Sequence, residues 1–457
     1  MRHPAIFRSA DNDPVGNPRQ NRSLEPRSSS VRFRRLNISR LWETIFETLV
    51  VLAIFYKWIQ IALAPQGDFM RHREFGRRFL AGEFLYFGGL DVPYPPFWAM
   101  VQAPLSLLPS NTAQFLVYPL AILSLCGLIH VLHRLARPIW PLGPEQDFWA
   151  MSGAVVLAGQ FLLRDLSECG FNTLIVALVW TGIYFWSRQR EVAAGLLLGL
   201  AAALKCTPVL FLAYFVLKRQ WRTVVAGSVV ALALTLAPAI IQPNSYGDHM
   251  KIWAFSAARG LWPLADPSRG TLGDEPLQNL AFRPALARFL IHLPDGHPGR
   301  WSGRGHIDLF DMRPSTAALI INALMIALLA SVAFLFKGRV ASRSDPRILW
   351  ECAAISILML LYSPITWTQH CVGTLPGIYL IARAVVFRRY FDRSAAVLLS
   401  GFVLFVVVPY RALAGRSAGL FLHSYHIVTF SLIALLLVVL LECGRGKRVS
   451  TISVTPA

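Results

Sequence analysis

Long apolar runs, separated by polar segments rich in Arg, Gly and Pro, recur along this chain. Runs of about 18 residues or more are long enough to cross the hydrocarbon core as an α-helix. They do not alternate in character as β-barrel strands do. The pattern predicts an all-α polytopic membrane protein. Runs cover residues 41–64, 111–135, 148–163, 171–186, 191–217, 223–241, 315–336, 348–362, 370–387, 394–409 and 420–441. The run 191–217 holds Lys205-Cys206-Thr207-Pro208, where Pro disfavours a straight helix. Both its flanks are basic, which predicts a hairpin entering and leaving on one side of the membrane.

Two polar stretches interrupt the series. The first, within 64–109, opens on Gly67-Asp68. After it Phe69, Phe75, Phe79, Leu80 and Phe84 fall on one helical face, with Arg71, His72, Arg77 and Arg78 elsewhere. That is the pattern of a helix lying in the membrane interface. Tyr94-Pro95-Pro96 then starts a short helix, since Pro suits a first turn. The second, residues 242–313, is rich in Gly and Pro and carries Trp253, Trp262, Trp301 and His249, His292, His297 and His306. Loops of this length are usually functional or disordered. Residues 282–291 predict a short helix inside it.

Composition agrees with the pattern and adds an orientation. The 457 residues are 55% hydrophobic and only 15% charged, with mean hydropathy +0.49. The net charge of +19 comes from 44 Lys and Arg against 25 Asp and Glu. In a soluble chain that excess would suggest nucleic acid. Here it marks cytoplasmic loops and attracts anionic lipid. Residues 1–40 carry nine Arg and no apolar core of a signal peptide, so they predict a disordered basic cytoplasmic tail. Walking the charge rule along the chain then places both termini inside, with 443–457 as a second cytoplasmic tail. Arg411 and Arg416 fall outside and run against the scheme. The six cysteines form no CxxC pair, the histidines have no zinc spacing, and no P-loop or GxGxxG follows a strand. No metal or cofactor site is expected.

The walk collects Asp68, Tyr94, Arg164, Asn172, Lys205, Trp367 and His370 on the external side. Each has a plain structural alternative. Asp68 suits a helix N-cap as well as a general base. Arg164, Asp165 and Glu168 suit a surface ion pair. Lys205 lies between apolar sequences, where it either snorkels or lines a polar cavity. Trp367 suits an interfacial anchor. His370 opens a helix behind Ser363-Pro364-Ile365-Thr366 and suits a phosphate donor or proton shuttle.

In this order, the stretches GDFMRHREFGRRFLAGEFLY, YPPFWAMVQAPLSLLP, RDLSECGFNTLIVALVWTGIYF, AAGLLLGLAAALKCTPVLFLAYFVLKRQWR and LLYSPITWTQHCVGTLPGIYL resemble the family 87 glycosyltransferases. Three positions depart from the family's pattern. Cys169-Gly170-Phe171-Asn172 stands for Gly-Gln-x-Asn, Gln369-His370 for a His pair, and Gln278-Asn279-Leu280 for Asn-Gln-Ser-Leu. The resemblance implies a GT-C-type fold over 41–442, with about ten to twelve membrane helices. It implies a multi-pass protein of the bacterial inner (plasma) membrane. The implied reaction moves a hexose, mannose by default, from a polyprenyl-phosphate sugar to a glycan or glycolipid acceptor, with inversion. Asp68 would then be the base. Lys205, His370 and Arg164 would hold the phosphate, and Tyr94 would shape the acceptor side. Asn172 and Trp367 would complete the substrate site. No metal is implied. The rival readings are a transporter or flippase for lipid-linked sugars, and a non-catalytic relative of the family.

Overall fold

The computed structural model of the chain describes residues 38–64, 67–86, 94–259, 264–271, 273–302, 307, 309–388, 393–407 and 411–452. Residues 1–37 of the expected basic tail, Trp262 and His306 lie outside them. By its internal contacts the chain divides into Met1–Leu49 and Val50–Ala457. The first unit is described only by the start of one helix, and the second holds all the rest.

The described residues are mostly helical. Helix α1 spans Ile38–Leu63, α2 Asp68–Leu80, α3 Pro96–Ser106 and α4 Ser110–Ala136. Then follow α5 (Pro144–Leu157), α6 (Gly159–Glu168), α7 (Asn172–Ser187), α8 (Glu191–Leu204), α9 (Val209–Leu217), α10 (Trp221–Leu236) and α11 (Pro238–Ile241). The long loop contains α12 (Pro243–Arg259), a two-residue-per-strand hairpin (Arg269–Gly270 with Gly273–Asp274) and α13 (Phe282–Leu290). After it come α14 (Pro314–Phe336), α15 (Pro346–Leu361), a 3₁₀ segment (Thr368–Thr374), α16 (Leu375–Arg388), α17 (Arg393–Val407), α18 (Arg411–Ser424) and α19 (Ile427–Ile452).

Six helices among the described residues are long and apolar enough to cross a membrane, and α6 with α7, bent by 116°, form a seventh span if taken together. The expected ten to twelve crossings would have to include short apolar helices such as α8 and α17. Several helices keep large apolar side chains on the outside. Val229 on α10 is 60% exposed and Ile326 on α14 is 68% exposed. A helix that is apolar all round and still exposed belongs in lipid.

The expected helices are largely found, with three corrections. The run 148–163 is two helices, because α5 stops at Leu157 and α6 carries on through Arg164 and Asp165 to Glu168. The run 420–441 is also split: His426 has φ +50° and α19 begins after it, extending into the expected tail. The loop 242–313 is not structureless, since α12 fills its first quarter.

The run 191–217 folds back on itself. Arg343 makes an ion pair with Glu191, at the start of α8, and a 3.4 Å hydrogen bond with Gln220, just after α9. The two ends of the run therefore meet, and the chain turns between them at Lys205–Pro208. Nearby Lys218 pairs with Glu351 at 2.7 Å, and Arg347 with the same carboxylate at 3.0 Å. At the centre of the bundle, Trp180 of α7 is fully buried and gives its indole N–H to Ser356 of α15 at 3.2 Å. A buried Trp normally finds such a partner.

Helix α2 buries Phe69, His72, Phe75, Gly76 and Phe79 against α3. The expected face is thus shifted: His72 points inward, and Leu80 is half exposed. Positions 69, 72, 76 and 79 are spaced by three and four, the spacing of one helical face.

Candidate active site

Asp68 is the first residue of α2, and Gly67 occupies the cap position. The Asp68 carboxylate is therefore not the helix cap. Its Oδ2 accepts a 2.6 Å hydrogen bond from Gln369 Nε2 of the 3₁₀ segment. Its own N–H donates to Glu168 Oε2 at 2.9 Å. Gly67 has φ +78°, and a Cβ there would stand 1.9 Å from the same Glu168 oxygen. Only glycine lets the chain enter α2 so close to α6. Glu168 is held in turn by Arg164 at 2.7 Å. Arg164 is itself 58% exposed and serves α6, so its surface ion-pair reading is the one the geometry matches.

Four residues after Asp68, on the same helix face, stands His72. Trp98 of α3 donates its indole N–H to His72 Nδ1 at 3.1 Å, which leaves the ring's other nitrogen to carry the proton. Burial pulls the His72 pKa down to about 4; Asp68 raises it, and Lys205 and Arg71 lower it. Tyr94 stacks on Trp98 with ring centres 5.0 Å apart and meets the His72 ring edge-on at 5.1 Å.

Lys205 is the tip residue of the hairpin. Its Nζ donates to Asn172 Oδ1 at 2.8 Å and lies 5.6 Å from the centre of the Tyr94 ring. Asn172 is fixed from behind by Asp165. That buried carboxylate accepts from Asn172 Nδ2 (2.8 Å), Thr173 N–H (2.8 Å) and the Thr173 hydroxyl (2.7 Å). A carboxylate at the start of α7 also meets the positive end of the helix dipole. Asp165 therefore orients Asn172, and Asn172 orients Lys205.

Lys205 and His370 both line a cavity of about 460 Å³, with Tyr94, Thr207 and Ser363 beside them. The His370 ring lies 3.2 Å from the Ile365 carbonyl and accepts the Trp367 N–H, also at 3.2 Å. Trp367 enters through its backbone. Of the residues expected from sequence, Asp68, Tyr94, Asn172, Lys205 and His370 are brought into one neighbourhood, and Trp367 and Arg164 support its edges. Among the described residues no group of three or more His, Cys, Asp or Glu side chains could hold a metal ion.

Residues 93–364 match the family model of glycosyltransferase family 87. The chain belongs to that family. It is 26% identical over 390 residues to a polyprenol-phosphate-mannose-dependent alpha-(1-2)-phosphatidylinositol mannoside mannosyltransferase of Mycolicibacterium smegmatis. That alignment covers 80% of this chain and 81% of the relative. A protein of the same description from Mycobacterium tuberculosis is 26% identical over 351 residues, 73% of this chain and 74% of the relative. This family 87 chain is thus a membrane glycosyltransferase.

Two of the three departures from the pattern noted in the sequence have structural roles. Gln369, in place of a His, holds Asp68. Asn279, buried in the long loop, accepts from Thr366 N–H at 2.9 Å and donates to Pro364 O at 3.1 Å, pinning the loop to the Ser-Pro segment. His72 and Gln369 are neighbours of the site to which the sequence assigns no role. The surface ion pair expected of Arg164, Asp165 and Glu168 holds for Arg164 with Glu168 only: Asp165 is buried and bonds Asn172 and Thr173 instead. For His72 a signal existed: it lies four residues after an acid, which puts the two on one helical face.

Proposed function

We propose that this enzyme transfers mannose from a polyprenyl-phosphate-mannose donor to a hydroxyl of a glycolipid or glycan acceptor, at the external face of the inner membrane. Two mycobacterial relatives are named for that donor and for phosphatidylinositol mannoside acceptors. One observation carries the reading. An acid held by a neutral amide donor, Asp68 with Gln369, shares its neighbourhood with a lysine and a histidine that line a cavity of lipid-sugar size.

In the reaction the acceptor oxygen attacks the sugar's C1. The C1–O bond to the phosphate breaks, its electron pair leaves on polyprenyl phosphate, and the acceptor's proton passes to Asp68. Attack opposite to the leaving group inverts the anomeric centre. A phosphate leaves without being protonated, provided its charge is met. Lys205 and His370 meet it as electrostatic stabilisers. Neutral His72 and the Trp98 indole keep the floor beneath Asp68 rigid. Tyr94, between Asp68 and the cavity, shapes the acceptor side. The apolar walls, including Val209, Leu210 and Met359, take the lipid tail.

The test is Asp68→Asn, which keeps an oxygen for Gln369 but cannot take a proton. Transfer from purified polyprenyl-phosphate-mannose is expected to fall by about 10²–10⁴-fold, with donor binding retained. Undiminished transfer would remove Asp68 from the mechanism.

A further inference from the structure

The cavity has a second polar wall that the transfer step does not use. Thr271, Glu275 and Arg283, from the external loop, line it together with Lys205 and His370. Glu275 is 9% exposed, an unusual place for a carboxylate. Burial pushes its pKa up to about 7, against the Asn279 hydrogen bond and the Arg283 charge. Its Oε2 accepts from Asn279 Nδ2 at 2.7 Å. Its Oε1 lies where a side chain at Gly270 would be, 1.6 Å from an ideal Cβ. A carboxylate has about four acceptor sites, and one is filled here among the described residues. Thr271, 6% exposed, has a buried hydroxyl with no hydrogen-bond partner among them. Buried polar atoms are rarely left so. Asn279, itself fully buried and bonded on both ends of its amide, fixes the Glu275 carboxylate in place.

Acceptor capacity on a buried carboxylate, beside an unpaired hydroxyl, calls for a ligand rich in O–H donors. The cavity thus offers two kinds of polar group besides its apolar lining: a lysine and an imidazole at Lys205 and His370, and oxygen acceptors at Glu275 and Thr271, with Arg283 on the same wall. We infer that Glu275 and Thr271 bind hydroxyls of the donor's sugar and set which hexose the enzyme accepts. This rests on the donor reading above. The acceptor's headgroup is the other possible polyol, and the test separates the two.

Two variants act on the same carboxylate. Glu275→Gln keeps an oxygen for Asn279 and removes the charge. Gly270→Ala leaves the charge and pushes the carboxylate aside. Purified enzyme is assayed with polyprenyl-phosphate-mannose and polyprenyl-phosphate-glucose, which differ in the sugar alone. Donor binding is read separately, as protection of Cys206 from a thiol reagent, by mass spectrometry. Cys206 is exposed and lines the cavity. Both variants are expected to raise the donor KM and to lower the mannose-to-glucose ratio of kcat/KM by about tenfold or more, as lost hydrogen bonds to a substrate hydroxyl do. Protection of Cys206 by bare polyprenyl phosphate should stay as in wild type, while protection by the mannosylated lipid weakens.

An unchanged ratio in both variants overturns the inference. So does a rise in acceptor KM with donor KM unchanged, or equal loss of protection by bare and mannosylated lipid. If wild type turns over neither donor, the transferase reading fails. The protection arm still decides whether this wall recognises the sugar.

Discussion

At the scale of single residues, the site relies on buried groups whose charge is fixed by their surroundings. His72 is the clearest case. It is 4% exposed, and burial brings its pKa from 6.5 to about 4. An unfolded chain takes up this proton near 6.5, while the folded protein resists until about 4. The contribution is fully present above pH 6.5 and is lost as pH falls towards 4. His72→Gln keeps an acceptor for the Trp98 indole and cannot titrate. The expected outcome is that wild type loses more thermal stability than His72→Gln when detergent-solubilised protein is taken from pH 7.5 to 4.5. Parallel losses would mean that His72 is not held neutral. His72 also marks a limit of reading the sequence. The spacing of the aromatic residues predicts a buried face without His72, which stands between Arg71 and Arg73. What turns it inward is the Trp98 indole, on another helix.

At the scale of elements, pieces far apart in sequence are locked by backbone-directed side chains. Asn279 makes four hydrogen bonds: two join the long loop to the Ser363–Thr366 turn, from Thr366 N–H and to Pro364 O, and two brace the loop itself, from Ala281 N–H and to Glu275. Leu280 N–H adds a 2.7 Å bond to Thr366 O. Asn279→Ala leaves buried partners unpaired, each costing about 1–3 kcal/mol. It is expected to lower the thermal midpoint and to open the loop to protease, with new cleavage within residues 264–302. A protease pattern like that of wild type would show that the loop is held by something else. The helices themselves were legible, because lipid demands long apolar runs and those are visible one residue at a time. The breaks were less so. The stop between α5 and α6 carries no Pro. The turn after α18 depends on a left-handed His426 that sequence gives no reason to expect. Helix α12 was hidden because its Pro, Asn, Gly and Asp residues read as loop. Asp68, Lys205 and His370 were legible through a family resemblance, whereas Gln369 and Glu168 act through contacts that only the fold creates.

At the scale of the whole molecule, the question is which face of the membrane holds the site. The charge walk depends on 191–217 being a hairpin, since one extra crossing would reverse the sides of everything after it. The contacts of Arg343 with both Glu191 and Gln220 hold the ends of that run together. A 14-residue helix such as α8 rises about 21 Å, which puts Lys205 deep in the membrane or near its far side. The basic groups Lys218, Arg343 and Arg347 gather at the opposite end, against Glu191 and Glu351. Cytoplasmic loops attract such clusters, so the Lys205 end, with Asp68 and His370, should face outward. Asp248 on α12 and Arg339 after α14 are both exposed and lie on opposite sides in this scheme. Asp248→Cys should react with an impermeant maleimide on intact spheroplasts. Arg339→Cys should react only once the membrane is opened. The reverse pattern would put the site at the cytoplasmic face and make Arg411 and Arg416 the better guides to orientation. Labelling of both from outside would mean that α14 does not cross the membrane, and the walk would fail at that helix.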